Sequence, residues 1–500
     1  MSGLGAGPAG RNTVDWRGNQ AHEDVKEKFG FWVDGAEQWA EPWMAVVDPA
    51  SEEPMATVPV CDAAWVDRAV LGASKAQKLW KETAPQHRRD VLRSLAERVR
   101  THRESLTHLL GRETGKPKQA AVAEVDNTAH LIDYFAEEGY RLSGLIPLLG
   151  DPQRHTLVVR EPLGVVGAIT PFNYPLSTLA CKAASALAVG CAVVAKPDEH
   201  TPLSTLALAR IFTEAGLPSG LLQVVTGPGP VTGAALVDHP NVRGISFTGS
   251  TEVGKEIQRR AASSVKRLIL ELGGSCPAIV CHDADWRTHL PHMVAQAYKN
   301  SGQYCYRITR FYVARNVWKP FFDEFMARVM ELRVGHPLNP QTVLGPLNHQ
   351  GILRRVREQV WRLQQAGATV FQAPLPKELH RGFYFPPTVI TNIEPQTPEL
   401  HEEIFGPVTF LIPFDDEAQA IVEANRSPYG LAAYVFTQNL AKGLRLAHRL
   451  EAGSVWINGV HQALPEAPFG GMKESGLGRE KSRFGVEAFT ELKTLYLAYA

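Results

Sequence analysis

From Gly164 onward, short β-branched runs alternate with helix-forming stretches. That alternation restricts the chain to parallel sheet with helices packed on its faces. The runs are GVVGAIT at 164–170, CAVVAK at 191–196, LLQVVT at 221–226, GISFT at 244–248 and LILE at 268–271. Helical composition fills 176–189, 202–216 and 251–263 between them. The pattern resumes past Cys276, where PAIV (277–280), FYVA (311–314), VTFLIPF (408–414), LAAYVF (431–436) and SVWIN (454–458) read as strands. Helices are expected around 317–333 and 439–451. A second α/β domain thus begins near residue 273. A chain of 500 residues is too long for one compact core, which agrees with this division.

Ahead of the first sheet, Val91, Leu92, Leu95, Val99, Leu106, Leu109 and Leu110 recur at three- and four-residue steps. That spacing predicts helices between about Ala63 and Thr107, separated at Pro85. The segment IPLLGDPQRHTLVVREP (146–162) has a Gly-Asp-Pro turn between extended arms and reads as a hairpin. FTELKTLYLAY near the C-terminus reads as a last strand. A hairpin and a strand left over from two domains are natural pieces of an oligomer contact.

Composition narrows the partners. Lys plus Arg and Asp plus Glu number 52 each, so no net field attracts nucleic acid or an anionic membrane. No apolar run reaches bilayer length. Residues 1–25 read as a loose tail without the features of a secretory leader. Six scattered cysteines without CxxC spacing argue against a disulfide framework or a zinc site and place the chain in a reducing cytoplasm. Cys61, Cys181, Cys191, Cys276 and Cys281 read as small buried hydrophobes.

Cys305 ends the phrase Asn300-Ser301-Gly302-Gln303-Tyr304-Cys305. Taken alone it is either an inert core thiol or a nucleophile, and a nucleophile needs a base and a home for negative charge. Glu271 closes an apolar strand and is followed by Leu272, Gly273 and Gly274. It is either a paired structural carboxylate or a base whose pKa burial raises. Asn173, between Pro171 and Pro175, is either a turn residue or an oxyanion donor at a strand's carboxyl end. Lys196 and the segment FTGSTEVGK (247–255) offer a cofactor site, with Gly249 and Ser250 opening a helix where phosphate can sit.

Seven phrases, TPFNYP, KPDEHTP, FTGSTEVGK, LELGG, NSGQYC, EEIFGPV (402–408) and PFGGMKESGLGRE (468–480), stand in the order found in the aldehyde dehydrogenase superfamily, which the chain resembles. The resemblance implies a Rossmann-like NAD-binding domain (26–140 and 163–272), a second α/β catalytic domain (273–472) and a small β oligomerisation unit (141–162 and 485–500). It implies that Cys305 attacks the aldehyde, that Asn173 and the Cys305 N–H hold the oxyanion, and that Glu271 activates the water hydrolysing the thioester. Lys182 and Glu480 fall at a proton-relay position. Thr170, Pro171, Phe172, Lys196, Glu199, Gly249, Ser250, Leu272, Gly273, Glu403 and Phe405 fall at cofactor positions. Glu199 accepts hydrogen bonds from ribose hydroxyls and repels a 2′-phosphate, so NAD is favoured with NADP the alternative. The partners implied are a small-molecule aldehyde and a second copy of the chain, as a homodimer or homotetramer.

The C-terminal phrases look most like succinate-semialdehyde dehydrogenases, yet the two arginines that hold substrate carboxylate there are replaced by Cys181 and Lys299. Tyr304, Tyr306, Lys299 and Arg307 are the substrate candidates. Tyr306 is expected to narrow the pocket. Arg307 is either a structural partner of a carboxylate or a cation acting on Cys305 or an anionic substrate. Semialdehydes and neutral aliphatic or aromatic aldehydes are all compatible with these residues. A CoA-acylating dehydrogenase is the nearest rival, against which Glu271 weighs. A non-catalytic protein on the same scaffold is the rival from another class, against which the intact Cys305, Glu271 and Lys196 weigh.

Overall fold

The structure, a computed structural model, describes residues 27–148, 154–462 and 464–498. The tail expected over 1–25 and the turn at 150–152 lie outside the described residues.

Five parallel strands form the centre of the first sheet, in the order Arg267–Glu271, Val242–Thr248, Val165–Ile169, Ala192–Lys196, Leu222–Val224. Val165–Ile169 and Ala192–Lys196 are buried at every position, because helices cover both faces. The helical spacing read around Leu92, Leu95, Val99, Leu106, Leu109 and Leu110 corresponds to buried faces of Pro85–Thr101 and Arg103–Thr114. Pro85 opens its helix, where a missing N–H breaks no bond. Strand order reverses beside Val165–Ile169, since the next two strands add on one side and Val242–Thr248 restarts on the other. A crevice opens at that reversal, beyond the carboxyl ends.

This sheet recruits distant segments at its edges. Phe31–Val33 and Ala36–Gln38 extend one edge as a hairpin whose turn residues, Asp34 and Gly35, have φ of 59° and 74°. Gly476–Leu477 pairs antiparallel with Arg267–Glu271 at the other.

The second sheet runs Thr369–Gln372, Thr388–Thr391, Val408–Phe414, Ile308–Ala314, Cys276–Val280, Ala432–Phe436, Ser454–Ile457, all parallel except the first. Only residues 272–275 separate Glu271 from Cys276, so the chain leaves one sheet and enters the next almost at once. The carboxyl edge of the first sheet therefore faces the amino edge of the second.

Arg154–Pro162 pairs antiparallel with Thr490–Ala498 along its whole length. The turn of the hairpin expected over 146–162 lies outside the described residues; an antiparallel bridge from Leu145 to Val158 joins its two sides, and the long ladder of its second arm forms with the C-terminal strand. Leu492, Tyr496 and Leu497 of that strand are exposed. Among the described residues no helix is long and apolar enough to cross a membrane.

Candidate active site

A cavity of about 1010 Å³ is lined by residues from the facing edges of both sheets. Its first end is the crevice at the strand reversal. Thr170, Pro171 and Phe172 line it from one strand end, and Gly249 and Ser250 from the next. The Ser250 hydroxyl accepts from the Val253 N–H (3.4 Å) and caps the helix Thr251–Ala261. A Cβ at Gly249 would lie 2.4 Å from the Phe247 ring, so that approach is open to glycine alone. Lys196 Nζ pairs with Glu199 Oε2 at 3.0 Å beside this crevice.

Further in, Leu272 and Gly273 line the cavity opposite Glu403 and Phe405. Glu403 accepts from the Gly274 N–H (2.9 Å), and burial pushes its pKa up to about 7 against that bond. A Cβ at Gly273 would meet the same carboxylate at 2.7 Å. Phe172 and Phe405 meet edge to face, with centroids 5.7 Å apart. A helix N-terminus, a Lys–Glu ion pair beside the crevice and a glycine-lined slot form a set that fits a dinucleotide.

Cys305 stands half-buried where this slot meets the second half of the cavity. It precedes the strand Ile308–Ala314, and so lies at an amino edge rather than beyond a carboxyl end. Asn300, Ser301 and Gly302 all have positive φ (52°, 55° and 75°), a backbone that two non-glycine residues adopt only under constraint. Gly302 is packed so closely on the Gly406 carbonyl that no Cβ fits. Asn173 Nδ2 donates to the Gln303 carbonyl (3.0 Å), which leaves one amide proton for a ligand beside Cys305. The Asn173 carbonyl in turn accepts from buried Lys116 Nζ (2.8 Å), and Lys116 is ion-paired with Glu124.

Glu271 is buried, and neither carboxyl oxygen has a hydrogen-bond partner. Burial first, and then the charge of Glu480, push its pKa well above the carboxylate range. Cys305 is also pushed up, by burial and by the charges of Cys276, Glu403 and Glu271. Glu480, whose charge acts on Glu271, is itself paired with Lys182. Lys182 also donates to Ser246 Oγ (3.1 Å) and Thr248 Oγ1 (2.8 Å).

The substrate candidates separate. Tyr304 and Lys299 line the cavity, with Lys299 Nζ 4.9 Å from the Tyr304 ring centroid. Tyr306 does not, contrary to the expectation that it narrows the pocket: it is fully buried and stacked on Phe469 at 4.4 Å, which stands in front of it. Arg307 is likewise removed from the cavity. Its guanidinium donates to the carbonyls of Ala297 (2.9 Å), Ile404 (3.2 Å) and Val408, tying helix Trp286–Tyr298 to the 404–408 loop. It has carbonyl partners in place of the expected carboxylate, and burial pushes its pKa down to about 10.

Several cavity residues were not apparent from the sequence. His200 stacks on His349 with centroids 3.9 Å apart, and its Nδ1 bonds Asp198 Oδ1 at 2.8 Å. Burial lowers the His200 pKa, but the Asp198 bond and charge outweigh it and raise the value. On the other side, His461, Phe469 and Lys481 complete the wall. PFGGMKESGLGRE contains Phe469 and ends beside Lys481, but no local pattern marks a residue as facing a cavity assembled from remote segments.

The doubly wound sheet, its dinucleotide crevice and the facing thiol define a two-domain dehydrogenase. The chain belongs to the aldehyde dehydrogenase family, whose profile matches residues 32–495. It is 39% identical to a mitochondrial succinate-semialdehyde dehydrogenase of Oryza sativa subsp. japonica, over 93% of this chain and 87% of that one. It is similar in structure to betaine aldehyde dehydrogenase from Staphylococcus aureus in complex with NAD+ (TM-score 0.91, 33% identity, 94% and 95% of the two chains). It is equally similar to an NADP dependent enzyme of E. coli (TM-score 0.92, 34% identity, 95% and 98% of the two chains).

Proposed function

We propose that this enzyme oxidises an aldehyde to its carboxylic acid through a covalent intermediate on Cys305, with NAD favoured over NADP. The observation that carries the reading is the presence in one cavity of a half-buried thiol and a free Asn173 amide proton, with the buried carboxyl of Glu271, which has no hydrogen-bond partner, near enough for its charge to act on Cys305.

Burial favours the uncharged form of both Cys305 and Glu271, so each ionises as part of the reaction rather than at rest. The Cys305 thiol gives up its proton to solvent as its sulfur adds to the aldehyde carbon, and the new oxyanion lies against Asn173 Nδ2 and the Cys305 N–H. When bound, the dinucleotide supplies the hydride acceptor that turns the thiohemiacetal into a thioester. Glu271 then takes a proton from water, the water oxygen adds to the thioester carbon, and the acid leaves as the thiol is restored. Lys182, Ser246 and Glu480 form a hydrogen-bonded chain near Glu271, suited to carrying off the proton that the cycle releases.

Glu199 supports NAD. It sits beside the crevice paired with Lys196, and a carboxylate there repels a 2′-phosphate while accepting hydrogen bonds from ribose hydroxyls. The exposed Leu492, Tyr496 and Leu497 support a homodimer or homotetramer. Six unpaired thiols suit a reducing cytoplasm.

The test is NADH formation across acidic, aliphatic and aromatic aldehydes, with the acid product quantified. Wild-type turnover is expected, and Cys305→Ala is expected to lose dehydrogenase and esterase activity together. Turnover persisting in that variant would refute the assignment of Cys305.

A further inference from the structure

Two histidines meet at the cofactor crevice, one from each half of the molecule. His200 follows the first-sheet strand Ala192–Lys196, and His349 precedes helix Gln350–Gln365. Both line the cavity, and their rings are nearly parallel, with 10° between planes and 3.9 Å between centroids. The Phe172 ring meets His349 edge to face at 5.7 Å, so a third ring braces the pair.

The edge of the His200 ring is fixed as well. Its Nδ1 bonds Asp198 Oδ1 (2.8 Å), which also accepts the His200 backbone N–H (2.9 Å). That bond settles the tautomer, because a carboxylate keeps a hydrogen on Nδ1 in either charge state. Nε2 has no partner among the described residues. It accepts a hydrogen bond when the ring is neutral and donates one when the ring is charged.

The charged and titratable groups around this ring are Asp198, Glu199 and Lys196 on its own loop, and His349 with Arg355 on the opposing element. Burial lowers the His200 pKa, but the bond and charge of Asp198 and the charge of Glu199 outweigh it and raise the value. His349 takes the opposite course, pushed down to about 4 by burial and then by the charge of His200. Above that value the stack carries at most one positive charge, and His200 carries it. Glu199, the next residue back, lies 3.0 Å from Lys196 Nζ. A ribose hydroxyl can donate and so suits an acceptor in this corner. A 2′-phosphate only accepts, and needs a charged donor to offset Glu199.

We propose that His200 sets the choice between the two dinucleotides: as a neutral acceptor it leaves the crevice to NAD, and as a charged donor it admits the 2′-phosphate of NADP. Asp198 and His349 are its positioning residues, one fixing the tautomer and the other the ring plane. The proposal rests on the reading of this crevice as the dinucleotide site. It makes the preference for NAD widest in alkaline solution and narrower toward neutral pH.

The test is calorimetric binding of adenosine 5′-monophosphate and adenosine 2′,5′-bisphosphate in steps from pH 7 to pH 9. The proteins are wild type, His200→Gln, His200→Arg and Asp198→Asn. Both probes lack the nicotinamide end, so titration of Glu403, Glu271 and Cys305 affects them alike and cancels in the ratio of affinities. The second ionisation of the 2′-phosphate, at about 6, adds negative charge as pH rises and so works against the expected trend. In wild type, affinity for the bisphosphate relative to the monophosphate is expected to rise by about tenfold from pH 9 to pH 7, as one charge-assisted hydrogen bond provides. His200→Gln should hold the ratio flat at its low value, and His200→Arg flat at its high value. Asp198→Asn should move the rise to lower pH. The ratio of kcat/KM for NADP over NAD with one aldehyde should follow the same four patterns. A wild-type ratio that does not change with pH, or that changes equally in His200→Gln, overturns the role of His200 and leaves the dinucleotide site standing. Failure of the wild type to bind either probe or NAD overturns the dinucleotide reading, and this proposal with it.

Discussion

The wall behind Asn173 and the throat around Cys305 are built from the same residue types on opposite terms. In the wall, Lys116 and Glu124 are completely buried and paired, and Glu124 also accepts the N–H groups of Leu176 and Ser177. In the throat, Glu271 has no hydrogen-bond partner, and neither Lys299 nor Lys481 has a carboxylate. A buried paired charge fixes position, and removing one partner leaves the other stranded. A buried unpaired charge costs stability in the resting protein and is retained where the reaction uses it. The wall should therefore respond to mutation in folding, and the throat in turnover.

The sharpest break of that contrast is Glu271→Gln. Steady-state oxidation should fall by about 10²–10⁴-fold, while a burst of NADH survives, because hydride release precedes hydrolysis. Rapid-mixing absorbance checks it, and loss of the burst with cofactor still bound would show that Glu271 acts earlier. The same variant should gain stability at alkaline pH relative to wild type. The folded state raises the pKa of Glu271, so its stability contribution is present below the ordinary carboxylate value and lost as pH rises through the folded value. Melting curves at pH 6 and pH 9 read that difference.

Next in size is Asn173→Ala, expected to lower kcat by about 10²–10³-fold with a smaller change in KM, as for removal of one oxyanion donor. Equal loss in both parameters would assign Asn173 to ground-state binding. Lys116→Met tests the wall. It strands Glu124 and should cost about 3–5 kcal/mol of folding stability, measured by denaturant titration. A variant that folds normally but turns over slowly would erase the distinction between wall and throat. The smallest effect expected is Glu199→Gln, which removes the carboxylate beside the crevice and should narrow the NAD over NADP preference by about tenfold, read from the two KM values. In wild type, the raised Cys305 and Glu271 values place the acidic limb of the pH–rate profile well above the ordinary carboxylate range, with activity climbing as pH rises through it.

Much of the first sheet was legible because its strands are buried on both faces and therefore read as continuous β-branched runs. The edge hairpin at Phe31–Val33 was missed although Asp34-Gly35 carries the usual turn signal, since three-residue strands supply too little pattern around it. Arg307 shows the opposite failure. It stands two positions past Cys305, yet the chain turns into the strand Ile308–Ala314 there, and the side chain points to the carbonyls of another loop.

Residue order by itself determined the α/β class, the position of the thiol and the set of motifs that place the chain in its family, because these are local patterns of period and composition. Only the tertiary structure decided which charges are paired and which are left open to the substrate. Lys182 and Glu480 are far apart in sequence and meet in a buried ion pair, while Lys481, adjacent to Glu480, does not pair with it. Pairing depends on distances between remote segments, and no window along the chain contains them.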